Sequence, residues 1–162
     1  MANNRESTGP ETGRVSRTKP CGETILIVED EVTVRNLVTR FLTLSGYHVL
    51  AAEEPHAALA IWAEHKDRVA LLLTDVILPG ASSGRALAHR LQSERPGLKV
   101  LYTSGYSAES LNADGTLDDN IHFLQKPYCP EQLLDAVRDM LAGTLSPHQN
   151  QNQNRYAETT PC

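Results

Sequence analysis

Three carboxylates, a hydroxyl and an ammonium each close an apolar run in this chain. Together they suit a divalent cation and a phosphoryl group. Asp75 follows Val69 to Thr74, Glu29 and Asp30 follow Ile25 to Val28, Ser104 follows Val100 to Thr103, and Lys126 follows Ile121 to Gln125. Clustered carboxylates repel one another until a cation neutralises them. Mg²⁺ prefers oxygen ligands and is commonly held by one or two carboxylates plus phosphate oxygens. A carboxylate is also a nucleophile toward phosphorus, forming an aspartyl phosphate. The charge on the transferring group is stabilised by a metal, an ammonium and a hydroxyl donor. Asp75 fits as acceptor, Lys126 as cation and Ser104 as donor. Taken singly these residues are bland: an acid at a turn, a solvated lysine, and a Ser-Gly turn. Their joint placement at strand ends carries the reading.

That placement requires the runs to be parallel neighbours, and the intervening pattern provides for it. Ile25 to Val28 is continuously apolar, as in a strand buried on both faces. Glu31 to Ser45 has helical spacing, with Val34, Leu37, Val38, Phe41 and Leu42 on one face and Gly46 at the left-handed position beyond its end. Tyr47 to Ala52 reads as a short strand. Pro55 opens a helix that buries Ala58, Leu59 and Trp62. Val69 to Thr74 is the most hydrophobic strand, Gly84 to Glu94 the next helix, and Lys99 to Ser104 the fourth strand. Tyr106 to Asn120 is the weakest segment, with one or two helical turns at Ala108 to Leu111. His122 to Lys126 is a fifth strand, and Pro130 opens a last helix with Leu133, Leu134, Val137 and Leu141 inward and Gly143 just beyond. Five strands alternating with about five helices imply an α/β fold, a parallel sheet covered on both faces by right-handed crossovers. Ligands of open sheets of this kind lie outside the carboxyl ends of the strands, where all five side chains stand.

Of the 162 residues, 1–21 and 144–162 are too polar to form a core and read as disordered tails around a domain at 22–143. Between Glu23 and Ala142, ten Lys/Arg face seventeen Asp/Glu, a net charge of −7, within a whole-chain charge of −5. That acidity argues against direct DNA binding. The three cysteines, Cys21, Cys129 and Cys162, share no metal-ligand spacing and read as free thiols. The six histidines lack ligand spacing and any phosphodonor context. Without an apolar leader or membrane span, a cytoplasmic location is the expectation.

Four segments carry a family resemblance: Ile25-Leu26-Ile27-Val28-Glu29-Asp30-Glu31, Leu73-Thr74-Asp75-Val76-Ile77-Leu78-Pro79-Gly80, Tyr102-Thr103-Ser104-Gly105-Tyr106 and Phe123-Leu124-Gln125-Lys126-Pro127-Tyr128. In this order and spacing the chain resembles the receiver domain of two-component response regulators, most of all receivers at the C-terminal ends of hybrid sensor histidine kinases. The resemblance implies a doubly wound, flavodoxin-like sheet of order 2-1-3-4-5. It implies that Asp75 accepts a phosphoryl group from a sensor histidine kinase or histidine phosphotransfer protein, with Mg²⁺ as cofactor. Asp30, Asp75 and the Ile77 backbone carbonyl would hold the metal, with Glu29 acting through water. Ser104 and Lys126 would bind the phosphoryl group, Phe123 would be the aromatic switch, and the peptide bond before Pro127 would be cis. The chain departs from the family where Glu29 replaces the commoner Asp and where Gly80 to Gly84 holds one residue more. The turn before the fifth strand also differs, at Gly115 to Asn120, and Cys129 is a poor helix cap.

The expected function is therefore a stand-alone phosphorylated switch in a two-component phosphorelay, a phosphoacceptor rather than an enzyme, whose downstream target is another protein. A haloacid dehalogenase-type phosphatase shares the Asp nucleophile and Mg²⁺ but needs a second acid where Ile77 stands. A flavin protein would need a Ser/Thr/Gly-rich loop after the first strand. A pseudo-receiver acting by binding alone would not need the full set of acids, Ser104 and Lys126.

Overall fold

The computed structural model describes residues 22–79, 83–105 and 121–143. The elements are β1 (Thr24–Val28), α1 (Val32–Leu44), β2 (His48–Ala52), α2 (Pro55–His65), β3 (Val69–Asp75), α3 (Gly84–Glu94), β4 (Lys99–Ser104), β5 (His122–Gln125) and α4 (Pro130–Ala142). All strands pair in parallel in one sheet of order β2-β1-β3-β4-β5. That is the doubly wound α/β order, with β3 central and the winding reversing between β1 and β3. The tails, the Gly80–Ser82 insertion and the segment Tyr106 to Asn120 lie outside the described residues.

Strand alternation sends odd and even residues to opposite faces. Ile25, Ile27, Leu71, Leu73, Leu101 and Leu124 pack with Val38 and Leu42 of α1 and with Leu133, Val137 and Met140 of α4. Leu26, Val28, Leu72, Val100, Tyr102 and Phe123 pack with Ala58 and Trp62 of α2 and with Leu87, Ala88 and Leu91 of α3. Two cores therefore sandwich the sheet. One expectation fails on α1: Leu37 is 50% exposed, while Val38 and Leu42 are buried. The apolar stripe on α1 is wider than the sheet and α4 can cover, so its outer edge faces water.

Local signals explain the helix ends. Gly46 takes a positive φ of 95° just past α1, a conformation costly for residues with a Cβ. Pro55 is at the first position of α2. Cys129, the poor cap, is offset by Gln132, whose side chain accepts from the Cys129 backbone N–H at 2.9 Å. Trp62 is more than packing, since its indole N–H donates to Glu94 at 3.0 Å and ties α2 to α3.

Candidate functional site

The register brings the strand ends to one edge. Val28 pairs with Thr74, Asp75 with Thr103, and Ser104 with Gln125. The first residues beyond are held by continued backbone bonds: Glu29 N–H to Ala52 O at 3.2 Å, Val76 N–H to Thr103 O at 2.9 Å, and Lys126 N–H to Ser104 O at 2.8 Å. Extending the alternation one step past the odd-numbered core residues of β1 and β3, and past Leu124 of β5, gives Glu29, Asp75 and Lys126 the same side. The structure brings these three together.

The Lys126 ammonium donates to Glu29 Oε2 at 2.7 Å and to Asp75 Oδ2 at 2.8 Å. The remaining oxygens face backbone donors: Ile77 N–H reaches Asp75 Oδ1 at 3.0 Å, and Glu31 N–H lies 3.4 Å from Glu29 Oε1. Glu29 is 4% exposed. Burial pushes its carboxyl up from the ordinary glutamate value, and the Lys126 hydrogen bond offsets only part of that rise. Burial opposes the charge on Lys126, but hydrogen bonds to Asp75 and then Glu29 outweigh it and hold the ammonium above the usual lysine range. Burial likewise pushes the neighbouring Tyr128 phenol up to about 12.

The other residues expected at the site differ in their exposure. Asp30 is exposed, next in the chain to the buried Glu29. Ser104 is 1% exposed and Phe123 is 7% exposed within the core. The Lys126–Pro127 bond is cis. Ile77 is 54% exposed and engages Asp75 through its N–H. Among the described residues, no three acid, histidine or cysteine side chains form a ready metal cage. Two carboxylates instead converge on the lysine, because a positive charge is needed to hold them at that distance.

The donor set nevertheless fits Mg²⁺. Glu29, Asp30 and Asp75 offer hard carboxylate oxygens against one ammonium, leaving two negative charges when all are ionised. One or two carboxylates with water and phosphate oxygens suffice for this ion.

Two residues that the sequence reading passed over belong to the site. Gly84 begins α3 against the acceptor strand: a Cβ there would lie 1.8 Å from the Asp75 carbonyl oxygen and 2.7 Å from Thr74 Oγ1. Its N–H also donates to Val76 O at 3.1 Å, so α3 docks on the backbone of Asp75 only without a side chain. Arg35 of α1 reaches back to the β1–α1 loop, donating to Glu29 O at 2.7 Å and Asp30 O at 3.2 Å. Both residues signal themselves weakly: a glycine opening a helix, and an arginine one turn after an acidic pair.

Similarity to known proteins identifies the family. Residues 25–138 match the family model of the response regulator receiver domain. The sensor kinase CckA of Brucella abortus is 34% identical over 118 residues, 73% of this chain but 12% of that kinase. The response regulator receiver protein CpdR of the same organism is 31% identical, covering 72% of this chain and 95% of CpdR. The crystal structure of the receiver domain of hybrid histidine kinase CckA superposes with a TM-score of 0.61 at 33% identity, covering 73% of this chain and 98% of that one. Among the described residues, no helix is long and apolar enough to cross a membrane. By the match over 25–138 and the relatives that share it, the chain belongs to the response regulator receiver domain family.

Proposed function

We propose that Asp75 accepts a phosphoryl group from the phosphohistidine of a sensor kinase or phosphotransfer protein, and that the phosphorylated domain signals through protein contact or onward relay. The observation that carries this is the bridging of Asp75 and the buried Glu29 by the Lys126 ammonium, at 2.8 and 2.7 Å. In the transfer, an Asp75 carboxylate oxygen bonds phosphorus as the histidine N–P bond breaks. Asp30, Asp75 and the Ile77 carbonyl, with Glu29 acting through water, would hold Mg²⁺, whose chemistry there would be charge neutralisation. The Ile77 N–H and Lys126 fix the direction of the attacking carboxylate. As Asp75 becomes an acyl phosphate it loses its own charge, and Lys126 turns toward the phosphoryl oxygens. Ser104, at the end of the neighbouring strand, is the hydroxyl donor, and Phe123 responds from the core beside Tyr102. The readout is a population shift, so its size equals the difference in phosphoryl binding between two states.

The phosphatase alternative gains no support, since the position two residues past Asp75 is Ile77, exposed and without an acid. Incubation with a histidine-phosphorylated phosphotransfer protein tests the proposal. Label passes to this chain and is lost in Asp75→Asn. Label retained in that variant refutes the assignment.

A further inference from the structure

Arg35 stands where local helix physics disfavours it. It is four residues past Glu31, the residue before α1, and a cation there opposes the positive end of the helix dipole. The usual devices for fastening a helix start are missing: Glu31 makes no capping bond with its side chain, and the first turn holds no acid. The Arg35 guanidinium instead fastens the loop. One nitrogen donates to the carbonyls of both Glu29 and Asp30, at 2.7 and 3.2 Å. The other lies 3.7 Å from Glu53, just past the end of β2, with the arginine side chain 15% exposed and the glutamate 71% exposed. The exposed pair is screened and weak, whereas hydrogen bonds from a charged donor to carbonyls are stronger than neutral ones.

We infer that Arg35 is a positioning residue that holds the peptide units of Glu29 and Asp30 so that their carboxylates are set for a divalent cation. Pinning those two carbonyls fixes the direction in which both side chains leave the backbone. The inference rests on the magnesium site proposed above and adds a second layer to it.

Its test turns on a sign. If Arg35 acted only as a nearby positive charge, removing it would tighten cation binding. If it positions the loop, removing it weakens binding, because the acids then sample other directions. The measurement is Mg²⁺ titration of the unphosphorylated full chain, followed by amide NMR shifts, with overall shift dispersion confirming the fold. Arg35→Gln is expected to bind about tenfold more weakly, as for other residues that orient metal ligands. Arg35→Lys keeps the charge but loses the rigid fork, and weakens binding by a smaller factor. Should Arg35→Gln fail to fold, Arg35→Lys decides the matter alone. Binding as tight as in the native chain, or tighter, overturns the inference and leaves the proposed site standing. Absence of Mg²⁺ shifts in the native chain overturns both.

Discussion

Replacing Lys126 with Met removes the positive charge from between two carboxylates while keeping most of the side-chain volume. Glu29 and Asp75 have side chains only 6% and 13% exposed, and Lys126 is 21% exposed. Removing one partner of a buried pair costs about 3–5 kcal/mol, since the other charges stay desolvated. With Lys126 partly wet, about 2–3 kcal/mol is expected at neutral pH. That is well within the roughly 5–15 kcal/mol of a typical domain, so the variant stays folded.

The pH dependence of Lys126→Met follows from Glu29. Its folded-state value is already above the ordinary 4.5 through burial, and the variant loses the Lys126 interactions that lower it. An acid with a raised folded-state pKa takes up its proton in the folded chain before the unfolded chain does. The variant's deficit therefore shrinks as pH falls from neutral toward 4.5, and adding Glu29→Gln to Lys126→Met recovers at least about 1 kcal/mol. Urea unfolding at two pH values measures this, with the chain's single tryptophan, the buried Trp62, as reporter. A loss below about 0.5 kcal/mol that does not vary with pH would mean the pair behaves as an exposed salt bridge. The electrostatic reasoning would then be wrong.

Gly84→Ala should destabilise the fold by about 1–3 kcal/mol, because the Asp75 backbone it would meet cannot move cheaply. The same variant should accept phosphate more slowly than surface controls such as Ala63→Gly, read by phosphorylation time courses. A native rate and native stability would contradict that. Ile77 is exposed beside the acceptor and offers no carboxylate or amide to orient water, so the phosphorylated protein should persist for minutes after the donor is removed. Ile77→Asn should shorten that lifetime, and loss within seconds in the native protein would refute the reasoning.

Much of this architecture was legible because it is written in short-range pattern. The run from Val69 to Thr74 ends on Asp75 as a buried strand would, and Pro55 and Gly46 mark helix ends by conformational restriction and freedom respectively. Leu37 was misread because helical spacing gives the direction of an apolar stripe but not how much of it the neighbours cover. The Lys126 bridge joins residues 97 and 51 positions apart. It emerges only when strand order and parity are known, since Glu29, Asp75 and Lys126 each continue the same face. Gly84 and Arg35 were missed for a related reason. Their importance lies in backbone atoms, the Asp75 carbonyl and the carbonyls of Glu29 and Asp30, whose positions leave only a weak mark in residue type.

Intact mass after incubation with acetyl phosphate, with and without Mg²⁺, tests the central claim most directly. One phosphoryl group should appear on the native chain when Mg²⁺ is present, fade when the metal is chelated beforehand, and be absent from Asp75→Asn. An unmodified native chain, or an equal adduct on Asp75→Asn, would contradict the account.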